Sequence, residues 1–317
     1  MTKKLISVIC PVYNEEKSIP IFYDRLMTVI TPLEETYEFE LIFTNNCSQD
    51  GTRDVVLKLH EQEENVHLIT LSRNFGYQAS VLCGLTLAQG AATIVIDVDC
   101  EDPPEMIADF LRCWEDGYDV VYGIRNKRME SPVVQFMRTL FYWLLQKLAD
   151  NETVMHMAEF ALIDRRVRQE IISNKSTFPF LRTEIGYAGF KRLGLPYLRQ
   201  QRLQGKSHYN FLGMTVFAIG GILSSSTYLL RAAAYSAIIL LPLNFVLLIL
   251  EMGDIWGRAF EMLVSLDLMY IIFFLAVLSV YTARIYKNGV QRPTFIVDWK
   301  LSTYARAAVG PSFSSNP

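Results

Sequence analysis

Two long apolar stretches toward the C-terminal end limit what this chain can fold into. Ala232 to Leu250 runs 19 residues, interrupted only by Ser236, Pro242 and Asn244, and Met262 to Ala283 runs 22 residues with Asp267 as its one charge. At about 1.5 Å per helical residue, each is long enough to cross the roughly 30 Å hydrocarbon core of a bilayer. A pair of buried core helices is the weaker reading at these lengths. The connecting EMGDIWGRAFE holds Glu251, Asp254 and Glu261 against Arg258 alone, whereas Arg231 precedes the first stretch and Arg284, Lys287 and Arg292 follow the second. Cationic flanks stay on the cytoplasmic side. Residues 231–285 are therefore expected in the membrane, with both the N-terminal domain and the tail 286–317 in the cytoplasm. Asp267 lies about a turn and a half inside the second stretch; it reads as reaching the interface rather than as a polar contact between helices or subunits.

Two further segments read as interfacial. SPVVQFMRTLFYWLLQKLAD (131–150) is rich in aromatic and aliphatic residues, with Arg138 and Lys147 as its only cations, and 209–230 carries no charge but is broken by Gly220, Gly221 and Ser224–Ser226. Both suit the headgroup layer. An ordinary core helix competes for the first, and a third span for the second.

Residues 1–208 mix charged and apolar positions as a globular domain does, and 317 residues in all leave room for one or two domains. A net charge of −3 gives no reason to expect nucleic acid as a partner. Cys10, Cys47, Cys83, Cys100 and Cys113 are odd in number and form no CxxC pair, which fits reduced thiols better than disulfides or a zinc site. The short apolar run in MTKKLISVICPVYNEE reads as a strand, not a signal peptide.

Within this domain, strand-like apolar runs at 5–10, 40–44, 66–71, 92–96 and 120–123 alternate with helical patterns at about 15–30, 52–63, 76–89 and 104–115. That alternation predicts an α/β fold, a mostly parallel sheet covered on both faces. Ligands of such sheets bind beyond the carboxyl ends of the strands. Four polar signals fall there in order: PVYNEE, NNCSQDGT, SRNFG and DVDCED.

If the fourth strand stays extended, Asp97, Asp99 and Glu101 share one face. Hard oxygen ligands so arranged suit Mg2+ or Mn2+, which usually also binds substrate phosphates. Asp102-Pro103-Pro104-Glu105 reads instead as a helix start, with Asp102 as its cap. Arg73, ahead of a helix beginning near Asn74–Gly76, suits a diphosphate or is simply solvated. Asp50-Gly51-Thr52 reads as a turn and cap. Tyr13 suits stacking on a base, or packing beside Pro11.

Taken together, PVYNEE, NNCSQDGT, LSRNFG and DVDCEDPPE resemble the family 2 glycosyltransferases, more narrowly the polyprenyl-phosphate branch of dolichol-phosphate mannose synthases and bactoprenol glucosyltransferases. The resemblance continues through GIRNKRMES (123–131), AEFALIDRR (158–166), RQQRLQGKSHYNF (199–211), both apolar stretches and RIYKNGVQRPTF (284–295). It implies a GT-A type nucleotide-sugar-binding domain, interfacial helices and two transmembrane helices in a bacterial inner membrane, with a homo-oligomer through the spans open.

Position by position, the resemblance places Pro11, Tyr13, Glu15 and Asn45 around base and ribose, with Arg73 and Asp97 also on the nucleotide. Asp97, Asp99 and Glu101 would hold the metal. Arg125 and Arg128 would hold the lipid phosphate or the donor diphosphate, and Arg202, Lys206, Ser207 and Tyr209 would close over the phosphates. Glu159 stands at the acceptor-side position. Three departures stand out. The usual Asp-Asp-Gly-Ser is Asn45-Asn46-Cys47-Ser48, which removes charge from the base contact. The usual glutamine of the metal motif is Glu101, and the usual aspartate is Glu159. The implied reaction is inverting transfer from a UDP-hexose to undecaprenyl phosphate. GDP-mannose as donor, a processive polysaccharide synthase and an inactive nucleotide-sugar-binding scaffold are the alternatives. The synthase lacks support because no Gln-x-x-Arg-Trp occurs.

Overall fold

The structure, a computed structural model, describes residues 2–126, 157–174, 180–200, 226–252 and 257–304. Those residues fall into two compact units, one holding 2–126, 157–174, 180–200 and 293–304, the other 226–252 and 257–292. The interfacial segment expected at 131–150 lies outside the described residues. So does that at 209–230, except for its end.

The first unit is a seven-stranded sheet in the order β3-β2-β1-β4-β6-β5-β7. Its strands are β1 (Lys4–Val12), β2 (Tyr37–Asn45), β3 (Val66–Thr70), β4 (Ala92–Val95), β5 (Val120–Asn126), β6 (Met157–Asp164) and β7 (Arg192–Leu198). Pairing is parallel except where β6 runs against β4 and β5. The mostly parallel α/β fold is thus as expected. The strands β6 and β7, which complete the sheet, were not anticipated.

Covering both faces explains the near-continuous apolar runs of the central strands. On one face, α1 (Ser18–Ile30) buries Ile19, Phe22, Leu26 and Ile30, a stripe at helical spacing, and α4 (Ile107–Glu115) buries Ile107, Phe110 and Leu111 beside it. Between them in the chain, α2 (Thr52–Gln62) adds Val56 to the same cluster. The opposite face is covered by α3 (Tyr77–Leu87), α5 (Arg165–Ser173) and α6 (Leu181–Ala188). Gly84 lets α3 approach closely, since a Cβ there would sit 2.3 Å from Ile9 Cγ2.

The tail past Pro293 belongs to this unit. Leu71 bridges Val297, Ser72 N donates to Ile296 O at 2.9 Å, and Thr303 N to Leu68 O at 2.8 Å, so the tail covers the exposed edge of β3.

The second unit consists of α7 (Tyr228–Met252) and α8 (Gly257–Val290). Both are long and apolar enough to cross a membrane, over Tyr228–Ile249 and Leu263–Val290, and neither stretch is packed inside the protein. The first helix begins earlier than expected, taking in Arg231. Ser236 and Tyr270 join their hydroxyls between the two helices.

Candidate functional site

The chain winds outward from β1 through β2 to β3, then returns to place β4 on the other side of β1. Open α/β sheets bind ligands at such a reversal, beyond the carboxyl ends of the strands, here those of β1 and β4. Asn14, Cys47 and Cys100, in the loops after β1, β2 and β4, hold φ of +56°, +59° and +61°. Non-glycine residues rarely adopt that region, and such strained positions cluster at functional sites.

The loops after β1 and β2 are interlocked. Asn14 N donates to Ser48 Oγ at 3.0 Å, Gln49 N to Asn14 Oδ1 at 2.8 Å, Glu15 N to Thr52 Oγ1 at 2.8 Å, and Gly51 N to Glu16 Oε2 at 2.8 Å. Thr52 N donates to Asp50 Oδ1 at 3.0 Å, which makes the expected turn, but the cap position of α2 is Gly51 and no side chain caps the helix. Pro11 is buried and Tyr13 half-buried at the loop's entrance. Glu15 accepts from Ser18 Oγ at 2.6 Å, and the buried Asn45 accepts from Ser48 N at 3.0 Å. Asn46 was not anticipated as a site residue. Buried, it bridges this loop to the next by accepting from Phe75 N at 2.9 Å and donating to Asn74 Oδ1 at 3.0 Å. Arg73 is exposed, its guanidinium 3.9 Å from the centre of the Phe75 ring.

After Val95 the fourth strand stops and the chain turns at Val98–Asp99. Asp97, Asp99 and Glu101 therefore do not line one strand face. Asp97 Oδ1 accepts from the Tyr77 hydroxyl at 2.8 Å, and Asp99 Oδ1 from Glu101 N at 3.0 Å. Glu101 pairs with Arg199, and its carbonyl accepts from Gln200 N at 3.0 Å. Among the described residues no three His, Cys, Asp or Glu side chains converge as metal ligands. The three carboxylates expected from alternation are not gathered together here, and Glu101 is paired with Arg199.

Asp97 and Asp99 nevertheless form a fit for a hard cation. Burial, then Asp102 and Asp99, push the Asp97 carboxyl up to about 7. Crowded carboxylates of this kind are relieved by a divalent ion, and Mg2+ typically takes one or two carboxylates plus substrate phosphates.

Asp102 is not the helix cap that Asp-Pro-Pro-Glu suggested. The first helical turn, at Pro104–Met106, has no side-chain cap. Asp102 is 1% exposed and faces inward, 2.9 Å from Arg125 Nη2 and in contact with the Tyr197 hydroxyl. Glu105 is held by Arg25 at 2.7 Å. Arg125 also donates from Nε to Tyr197 at 2.9 Å. Burial pulls its pKa down, but Asp102 and Tyr197 outweigh that and raise it overall. Its charge is matched inside the protein.

Glu159 sits on β6, next to β4, and is 8% exposed. Its Oε1 lies 3.0 Å from Arg182 Nε, while Oε2 is buried without a hydrogen-bond partner among the described residues. Arg182 was not anticipated, because nothing in FLRTEI distinguishes it from a solvated arginine. Arg128, Arg202, Lys206, Ser207 and Tyr209 lie outside the described residues.

Polar loops thus gather at the reversal of the α/β sheet, and two long apolar helices form a second unit. The glycosyl transferase family 2 model matches residues 7–172, and this chain belongs to that family. It is 33% identical over 300 residues to an uncharacterized glycosyltransferase, YkcC, of Bacillus subtilis (strain 168), covering 92% of each chain. It is 30% identical over 305 residues to the prophage bactoprenol glucosyl transferase homolog of Escherichia coli (strain K12), covering 92% of this chain and 98% of that one. The bactoprenol glucosyl transferase of Shigella phage SfV is likewise 30% identical, over 92% of this chain and 97% of its own.

Proposed function

We propose that this glycosyltransferase moves a hexose from a nucleotide sugar, UDP-hexose, to the phosphate of a polyprenyl lipid, undecaprenyl phosphate, at the cytoplasmic face of a bacterial inner membrane. The supporting observation is the reach of the likeness to bactoprenol glucosyl transferases. It spans 92% of this chain, too much to leave out the strand-end loops, Glu159 and both apolar helices together.

In this reading the interlocked loops after β1 and β2 take the nucleoside, with Pro11, Tyr13, Glu15 and Asn45 at its edge. Arg73 meets the donor diphosphate. Asp97 and Asp99 hold Mg2+ or Mn2+, which when bound offsets phosphate charge and stabilises the departing nucleoside diphosphate. The acceptor phosphate has a second pKa of about 6 and is largely dianionic at neutral pH. Such a nucleophile needs little deprotonation, so Glu159 orients the acceptor or the sugar more than it abstracts a proton. In-line attack at the anomeric carbon inverts its configuration. Arg128, Arg202, Lys206, Ser207 and Tyr209 complete the phosphate side. Arg125, matched by Asp102, supports the wall of the site rather than gripping phosphate.

The test is a panel of labelled nucleotide sugars, GDP-mannose included, incubated with membranes containing the chain, undecaprenyl phosphate and Mn2+. Transfer of one hexose per lipid from a UDP-sugar supports the reading. Label appearing only with GDP-mannose would move the donor to the mannosyl alternative, and polymer growth would point to a processive synthase.

A further inference from the structure

Both carboxylates that face the reaction are held, directly or at one remove, by adjacent residues at the start of α3. Tyr77, the first residue of that helix, donates its hydroxyl to Asp97 Oδ1 at 2.8 Å. Gln78, the next residue, accepts through Oε1 from Leu181 N at 3.3 Å, at the first residue of α6. Arg182 follows, and its Nε reaches Glu159 Oε1 at 3.0 Å.

The turn carrying Tyr77 and Gln78 has little freedom to shift. Asn74 Oδ1 accepts from Gly76 N at 2.9 Å and from Asn46 Nδ2 at 3.0 Å, tying the turn to the β2 loop. Ser80 donates to Thr44 O at 2.8 Å. Farther along, Gly84 rests against Ile9 with no space for a Cβ. A helix fixed at three points can set the positions of both acids to within the tolerance that catalytic geometry demands.

We propose that the first turn of α3 is a shared positioning element: Tyr77 orients Asp97 on the donor side, and Gln78, through the start of α6, orients the Arg182–Glu159 pair on the acceptor side. This rests on the reading of Asp97 and Glu159 given above. Tyr77, Gln78 and Arg182 are positioning residues, acting through the acids they hold. Glu159 Oε2, buried and without a hydrogen-bond partner among the described residues, is then the oxygen left to meet an acceptor or sugar hydroxyl, with Oε1 in an ion pair with Arg182.

The experiment uses the full chain in lipid nanodiscs with UDP-glucose, undecaprenyl phosphate and Mn2+, resolving donor KM, acceptor KM and kcat. Loss of a hydrogen bond to a carboxylate predicts a donor KM raised about tenfold in Tyr77→Phe, with acceptor KM unchanged. Gln78→Ala and Arg182→Gln should leave donor KM unchanged and lower kcat about tenfold or more, with Arg182→Lys recovering part of the loss. Adjacent residues acting on different constants is a pattern that general loosening of α3 does not produce. Equal shifts of all three constants in Tyr77→Phe and Gln78→Ala, or values within twofold of wild type, would overturn the proposal. Should the wild-type chain form no lipid-linked hexose from any donor, the functional reading fails. The donor arm is then decided by calorimetry of UDP binding with Mn2+, where Tyr77→Phe should bind about tenfold more weakly and equal binding refutes it.

Discussion

Replacing Asp102 by Asn removes the carboxylate facing Arg125 while keeping the side chain's size. The two side chains are 1% and 17% exposed, so solvent screens the pair little. Removing one partner of a buried ion pair leaves the other charge uncompensated, at a cost of about 3–5 kcal/mol. For a unit of this size each kcal/mol lowers Tm by roughly 2–4 °C, so Asp102→Asn should melt roughly 6–20 °C below wild type. A helix cap in the same place would contribute only about 1 kcal/mol, or a few degrees, and would not involve Arg125. Thermal unfolding followed by tryptophan fluorescence in detergent separates the two cases. The double variant Asp102→Leu/Arg125→Met, which removes both charges, should recover most of the loss. A Tm within about 4 °C of wild type for Asp102→Asn, or a double variant no better than the single, would refute the inward-facing pair.

Asp99→Asn should abolish detectable lipid-linked product while leaving Tm within a few degrees, as scintillation counting of the organic phase and a melting curve together would check. Glu101→Gln should retain transfer to within about tenfold, because Glu101 is paired with Arg199 and not grouped with Asp97 and Asp99; a loss as deep as that of Asp99→Asn would return it to the metal. Chelation of divalent ions should stop transfer, and titrating in Mn2+ should restore it, measured as initial rate. Ending the chain at Arg292 strips the hydrogen bonds along β3, including Asp298 N to Thr70 O at 2.8 Å and Thr70 N to Ser302 Oγ at 2.9 Å. At about 1 kcal/mol each, their loss should lower Tm and expose a strand edge that promotes aggregation, visible by light scattering.

What could be read along the chain was what depends on near neighbours. Apolar runs such as LISVIC and helical stripes such as Ile19, Phe22, Leu26 and Ile30 carry their own period, so β1 to β5 and α1 to α4 were legible. So were the strand-end loops, because turn residues must stand where strands finish, and the two long apolar helices. Asp102 was misread because its true partners, Arg125 and Tyr197, lie 23 and 95 residues away, while a local Asp-Pro-Pro-Glu imitates a cap. The partner of Glu101 was hidden for the same reason: Arg199 is 98 residues distant, and the strand ends before the alternation can continue. MAEFALID did carry an apolar signal for β6. Its antiparallel placement beside β4, and with it that of Glu159, follows only from the folded sheet.

The most direct test is to supply the purified chain, in undecaprenyl phosphate-containing bilayers, with UDP-glucose and Mn2+ and to analyse the lipid by mass spectrometry. The account predicts one new species, undecaprenyl phosphate carrying a single hexose of inverted anomeric configuration, absent when Mn2+, the lipid or an intact Asp99 is missing. Free glucose and UDP without any hexosylated lipid, or no conversion with any nucleotide sugar, would contradict it.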